Sequence, residues 1–123
     1  MRLYTIITIC YMLLIIYFSH LPQDDISEIV SGPDNIDFLF HFIEYLILGF
    51  LLFLSLSTDN FFTINPVYGA ILVGIPFAVS DEFHQYFVPG RHMSIIDIIS
   101  DSIGLISGIF VSSRISKDVI SNS

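Results

Sequence analysis

Four long apolar segments, joined by short polar links, dominate this chain of 123 residues. They cover residues 3–19, 38–57, 66–87 and 94–113, and a polar tail, 114–123, follows the last of them. A helix needs roughly 17–25 residues to cross the ~30 Å hydrocarbon core of a bilayer, and each segment falls within that length. The sequence therefore predicts an all-α integral membrane protein, a four-helix bundle with up-down topology that forms one transmembrane domain over residues 1–113.

The composition favours a lipid environment over water. Hydrophobic residues make up 54% of the chain and charged residues 13%, whereas soluble domains contain about 25% charged residues. The net charge of −8 comes with only four lysines and arginines, which argues against nucleic acid as a partner. The first segment is longer than the core of a signal peptide and lacks a small-residue cleavage site after it, so we interpret it as a retained span.

The polar links carry signals of their own. Apolar residues recur at helical spacing within the acidic link between the first two spans, which favours a short interfacial helix at about 24–31. Asn65 followed by Pro66 is typical of an N-cap and a first helical turn, and Ser94 is a candidate N-cap for the fourth span.

Positive charges near the span ends predict the orientation of the bundle. Arg2, Arg114 and Lys117 fall on one side of the membrane, and Arg91 falls on the other. Because cytoplasmic loops carry an excess of lysine and arginine, we expect a multi-pass protein of the cell membrane with both termini in the cytoplasm.

Charged residues concentrate in three stretches of the apolar spans, where each costs a few kcal/mol and indicates a functional role. In an up-down bundle the start of the second span, the end of the third and the start of the fourth share one side of the membrane. At 1.5 Å per residue, Glu44 and Asp101 both lie ~10 Å deeper than the first polar residue of their spans. The sequence therefore predicts one outward-facing polar site. Its candidate residues, for catalysis or ligand binding, are Asp37, His41, Glu44, Asp81, Glu82, His84, Gln85, Arg91, Asp97 and Asp101.

Several of these residues have a simpler interpretation. Asp37 and Asp97 stand where they can merely complement a helix N-terminus, whereas Asp101 lies a full turn deeper and is not a cap. His41 and Glu44 can form a metal site, a proton relay or a structural hydrogen-bonded pair, and their spacing alone is a weak metal signal. The sequence requires no cofactor and leaves a divalent cation open.

Two further features are Glu82, whose partner the sequence leaves open, and a set of glycines at the spacing of packed helices. Glu82 is turned about 100° from the polar face of its span, and its partner can lie on the first or the fourth span. Gly74, Gly104 and Gly108 belong to small-xxx-small patterns, which predict close helix packing.

The same residues form a motif that resembles the VanZ-like family of small membrane proteins. The resemblance covers roughly residues 37–108. The founding member of the family is associated with resistance to the glycopeptide teicoplanin, so the resemblance implies a role in the cell envelope. The chain departs from the family pattern at Phe38, where a lysine is frequent, and at Asp101, where an asparagine is frequent. The motif reads Asp37-x-x-x-His41-Phe42-x-x-Tyr45-x-x-x-Gly49, then Ser80-Asp81-Glu82-x-His84-Gln85-x-Phe87-Val88-Pro89-Gly90-Arg91, then Asp97 and Gly104.

Three functional hypotheses follow, and they leave open whether the protein is an enzyme. In the first, the acidic site binds or modifies a lipid headgroup or a lipid-linked cell-wall precursor, with an effect on glycopeptide susceptibility. In the second, the protein is a membrane-embedded hydrolase or transferase, with Glu44, Glu82 or Asp101 as general base and His41 or His84 as acid. The third is proton- or cation-coupled transport, which the apolar inner halves of the spans disfavour.

Overall fold

A computed structural model describes residues 3–21, 37–59 and 63–122 of the chain. Within these ranges the backbone forms four helices and no strand, so the predicted all-α four-helix bundle is confirmed. The interfacial helix predicted at about 24–31 lies outside the described residues. The helices are α1 (Leu3–His20), α2 (Asp37–Asp59), α3 (Pro66–Gln85) and α4 (Ile95–Ser121).

The helix faces that point away from the interior of the bundle are apolar. By length and composition, α1, α2 and α4 are able to cross a membrane, whereas α3 carries Asp81 and Glu82 near its end. Large side chains such as Leu13, Leu72 and Ile103 are more than half exposed. A continuous apolar surface of this kind is typical of contact with lipid, so the chain is a membrane protein.

Local capping determines where α3 and α4 begin. The side chain of Asn65 accepts a hydrogen bond from the N–H of Val67 at 2.9 Å, with Pro66 in the first turn. The side chain of Ser94 accepts one from the N–H of Asp97 at 3.4 Å. Between the two helices, Gly90 has a φ of 77°, a conformation that a residue without Cβ adopts at little cost.

Two helix ends differ from the predicted span ends. α3 stops at Gln85, two residues before the predicted end of the third span, because a turn begins at Tyr86. α4 continues to Ser121 instead of ending near residue 113. The fall in hydropathy after Ser112 does not stop the helix, since no glycine or proline follows until the end of the chain.

Glycines allow the backbones of α2 and α4 to touch. At three of these glycines a Cβ atom would overlap a main-chain carbonyl of the opposite helix, and a Cβ at Gly74 of α3 would meet the side chain of Leu105. Close approach of this kind is how helices associate when lipid removes the hydrophobic drive between them. The three are Gly49 against Leu105, Gly104 against Phe42 and Gly108 against Leu46.

Helix α1 is attached to α2 by hydrogen bonds within the bundle. The Tyr11 hydroxyl donates to the main-chain carbonyl of Glu44 at 2.9 Å. The Thr8 hydroxyl donates to the carbonyls of Tyr4 and Leu51. These bonds place α1 beside the segment of α2 that carries the polar residues.

Removing the cap of α3 is expected to destabilise the bundle slightly. Asn65→Ala deletes the acceptor for the Val67 N–H, which costs about 1 kcal/mol. Asn65→Ser keeps an oxygen acceptor and is expected to retain most of that stability. Unfolding in mixed micelles with increasing SDS measures both variants, and equal stability of Asn65→Ala and the unmodified protein would contradict the capping role.

Candidate functional site

The centre of the polar site is a contact between α2 and α4. Nδ1 of His41 lies 2.9 Å from Oδ1 of Asp101. The Asp101 side chain is fully buried, and that of His41 is 13% exposed. An ionised Asp101 only accepts hydrogen bonds, so in this contact Nδ1 of His41 is the donor, and in the neutral imidazole Nε2 is then left as an acceptor or ligand.

Asp97 lies on the other side of the same imidazole. Its Oδ2 is 3.9 Å from Nε2 of His41, and its side chain is 23% exposed. Its own N–H donates to the Ser94 side chain, so Ser94 provides the side-chain cap of α4. The carboxylate of Asp97 therefore stands near a helix N-terminus and also faces the histidine.

Glu82 connects α3 to the start of α4. Its side chain is fully buried, and its Oε1 accepts a hydrogen bond from the N–H of Ser94 at 2.9 Å. Its second oxygen, Oε2, is buried without a hydrogen-bond partner. Helical periodicity predicts that Glu82 lies off the polar face, with its partner on either the first or the fourth span. The structure places it against the fourth, because the turn after α3 brings Ser94 over this side of the helix.

Asp81 and Glu44 extend the cluster toward the middle of the bundle. The Tyr45 hydroxyl donates to Oδ2 of Asp81 at 3.2 Å, and both side chains are buried. Glu44 is partly buried and lies close enough to His41, Asp81 and Asp101 to interact with them electrostatically. Carboxylates from α2, α3 and α4 thus share one interior region.

The remaining predicted residues lie at the rim or are less fully described. Nε2 of His84 is 2.9 Å from Nδ1 of His20, so His84 faces α1. Gln85 is buried. Asp37 is the first residue of α2, and its side chain lies outside the part of the chain that the structure describes.

Arg91 and His20 link the turn after α3 to the end of α1. The Arg91 guanidinium donates to the carbonyls of Leu21 and Phe18 at 3.3 and 3.2 Å. His20 was not a candidate in the sequence analysis, because it lies outside the three charged stretches. Its position as the last residue of α1, at the end of the first span that an up-down topology places beside the three charged stretches, is the signal that identifies it.

An open groove lies beside this turn at the edge of the bundle. Its volume is about 580 Å³, and it combines cationic, aromatic and apolar side chains. Such a lining suits an amphipathic ligand with an anionic head and an apolar tail. The lining residues are Tyr86, Arg91, His92, Met93 and Ile95.

The cluster supports two kinds of chemistry. An imidazole oriented by a carboxylate is suited to acid–base catalysis. His41, Glu82 and Asp97 also offer one ligand-type atom each within 4.8 Å of one another, so they are the residues of the described chain that could hold a metal. We call His41, Glu82, Asp97 and Asp101 the histidine–carboxylate cluster.

Comparison with models of known protein families gives a match over most of the chain. The model of the VanZ/LLP1 family matches residues 4–116, which include all four residues of the histidine–carboxylate cluster. No curated protein and no solved structure matches the chain.

Proposed function

The chain belongs to the VanZ/LLP1 family, and from this premise we propose that it is a multi-pass membrane protein that binds or modifies a lipid or lipid-linked component of the cell envelope. The site of this function is the outward-facing histidine–carboxylate cluster together with the groove beside Arg91. The termini are cytoplasmic, and the turn between α3 and α4 faces outward. An effect on glycopeptide susceptibility is part of the proposal.

The observation that carries the proposal is the burial of these charged groups inside an apolar bundle. Glu82 and Asp101 are fully buried, and the ion-pair contacts of the described carboxylates in this cluster are made with His41. Buried ionisable groups are costly in membranes and mark functional sites there. The close approach of α2 and α4 occurs at glycines, so packing alone does not account for the charged residues between them.

The groove at the rim supports a lipid as the ligand. Arg91 and His92 stand in its lining beside Tyr86 and Met93. A guanidinium is a favourable partner for phosphate oxygens, and the neighbouring apolar groups suit an acyl or polyprenyl chain. Met93 and Ile95 of the lining flank Ser94, whose N–H bonds Glu82, so a headgroup held in the groove would lie beside the cluster.

Charge-removing variants at the site are expected to reduce lipid capture and to alter glycopeptide susceptibility. Asp81→Asn changes the acceptor of the Tyr45 hydroxyl, and Arg91→Ala removes a cation from the groove. We expect each to lower the amount of lipid that co-purifies and to shift the minimal inhibitory concentration of teicoplanin in expressing cells. Mass spectrometry of extracted lipids and a susceptibility assay measure these effects.

Two exposed residues near the end of α4 provide matched controls. Asp118→Asn and Lys117→Ala remove charges of the same signs from exposed positions near the C-terminal end of α4. Both are expected to behave as the unmodified protein does. Unchanged lipid content and unchanged susceptibility in Asp81→Asn and Arg91→Ala would overturn the proposal.

A membrane-embedded hydrolase or transferase is the second candidate, and the His41–Asp101 contact favours it. The carboxylate orients the imidazole, so Nε2 of His41 would act as the general base on a water or hydroxyl nucleophile. We expect purified protein to turn over a lipid-linked phosphate or ester, and His41→Gln to abolish that turnover. Absence of turnover by the unmodified protein, with and without divalent ions, would exclude this candidate.

A further inference from the structure

We propose that His41, Glu82 and Asp97 bind a divalent transition-metal ion, and that Asp101 is the positioning residue that orients the His41 imidazole. This inference rests on the proposed function for the role of the site, and it names the cofactor of that site. The ligand atoms would be Nε2 of His41, Oδ2 of Asp97 and Oε2 of Glu82.

The first support is the distance between the donor atoms. One ligand-type atom from each residue lies within 4.8 Å of the others, and Nε2 of His41 is 3.9 Å from Oδ2 of Asp97. A metal ion with ligands ~2.1 Å away holds those ligands roughly 3–4 Å apart. Small side-chain rotations therefore suffice to close the three residues around one ion.

The second support is the unpartnered oxygen of Glu82. Oε2 is buried and has no hydrogen-bond partner, although Oε1 of the same carboxylate accepts the Ser94 N–H. A buried carboxylate oxygen without a partner carries a large desolvation cost. A metal ion in contact with Oε2 would remove that cost, whereas hydrogen bonds within the described bundle do not.

The third support is the balance of charge. Glu82 and Asp97 contribute two negative charges, and Nε2 of His41 lies 3.9 Å from Oδ2 of Asp97. One divalent ion would neutralise both carboxylates while His41 remains a neutral ligand. The ion and its three ligands together would then carry no net charge in the apolar interior.

The fourth support is the arrangement behind the imidazole. Oδ1 of Asp101 lies 2.9 Å from Nδ1 of His41, so in the neutral imidazole the proton is on Nδ1 and the lone pair is on Nε2, which lies 3.9 Å from Oδ2 of Asp97. Metal-binding histidines almost always donate their other ring N–H to a carboxylate, a carbonyl or water. The pair thus has the orientation of a ligand and its positioning residue.

The donor set determines which ions fit. One imidazole nitrogen and two carboxylate oxygens suit Zn²⁺ or Mn²⁺, whereas Mg²⁺ and Ca²⁺ prefer oxygen ligands alone. Asp97 is 23% exposed, which leaves the outer side of the site accessible. An ion held by three residues keeps positions open for a water or a phosphate oxygen of a headgroup.

Metal binding by the purified protein tests the inference without any lipid substrate. The protein is stripped with a chelator in detergent and dialysed against ZnCl₂ or MnCl₂, and bound metal is measured by inductively coupled plasma mass spectrometry. We expect about one ion per chain for the unmodified protein and a rise in thermal midpoint on adding metal. We expect Glu82→Gln and Asp97→Asn to weaken binding more than 100-fold and to lose that rise.

Two further variants separate ligand from positioning roles and control for folding. Asp101→Asn is expected to weaken binding by about 10–100-fold, and Asp118→Asn, at an exposed position, is expected to bind as the unmodified protein does. Glu82→Gln keeps an acceptor for the Ser94 N–H, so its helical content, measured by circular dichroism, is expected to stay unchanged. If it fails to fold, His41→Gln replaces it in the comparison.

Two results would overturn the inference. One is the absence of stoichiometric Zn²⁺ or Mn²⁺ in the unmodified protein, and the other is equal binding by Glu82→Gln, Asp97→Asn and the unmodified protein. Neither result bears on lipid capture by Asp81→Asn and Arg91→Ala. The metal site and the lipid function can therefore fail separately.

Discussion

Replacing Gly108 with leucine is expected to prevent α2 and α4 from packing, and thereby to abolish the folded bundle. A Cβ at Gly108 would overlap the carbonyl of Leu46 and the main-chain nitrogen of Phe50. Main-chain atoms within a helix cannot rotate away as a side chain can. The cost is therefore expected to exceed the 1–3 kcal/mol typical of an overpacked core, and it would also separate His41 from Asp101.

Resistance to proteolysis in membranes and the elution profile in detergent measure this effect. Ser107→Leu is the matched control, because it adds a leucine at the neighbouring position, where the serine hydroxyl bonds only to a carbonyl of its own helix. We expect Gly108→Leu to be degraded or aggregated and Ser107→Leu to remain folded. Similar yields of the two variants would contradict the packing described for α2 and α4.

The second large effect is expected when His41 is replaced by leucine. Asp101 would remain fully buried without the hydrogen-bond partner that His41 provides, and a buried charge left without its partner typically costs about 3–5 kcal/mol. The double variant His41→Leu/Asp101→Leu removes both polar side chains and is expected to recover most of that stability. A double-mutant cycle on unfolding in SDS-containing micelles measures the coupling energy between the two side chains.

His92→Leu is the control for the loss of a histidine as such. His92 is exposed, so its replacement is expected to change stability by no more than about 0.5 kcal/mol. If the changes in the free energy of unfolding caused by His41→Leu and by Asp101→Leu simply add in the double variant, the two side chains do not interact. That outcome would remove the centre of the site.

The number and placement of the helices follow from hydropathy and length, because a membrane admits few other structures for such segments. The contact between His41 and Asp101 agrees with the placement of their two stretches on one side of an up-down bundle, since an α-helix rises by a constant amount per residue. The caps at Asn65 and Ser94 are local features that residue type reveals, and both are present. These parts of the fold depend on a few neighbouring residues.

The parts that sequence did not reveal depend on how separate segments meet. Glu82 joins the cluster because the path of the turn between α3 and α4 places Ser94 over it, and no helical periodicity encodes that path. His84 faces His20 on α1, a pairing that depends on the rotation of α1 against α3. The continuation of α4 to Ser121 was missed because hydropathy falls there while helix formation does not.

Cross-linking between α2 and α4 tests most directly whether the charged stretches form one site. In a Cys10→Ser background, cysteines replace His41 and Asp101, and a protease site is placed in the link between α2 and α3. After treatment of native membranes with a short bifunctional thiol reagent and cleavage, we expect the two fragments to stay joined, whereas the control pair at His41 and Ser113, further along α4, separates. Separation of the fragments with cysteines at 41 and 101, or equal joining of both pairs, would show that no common site exists.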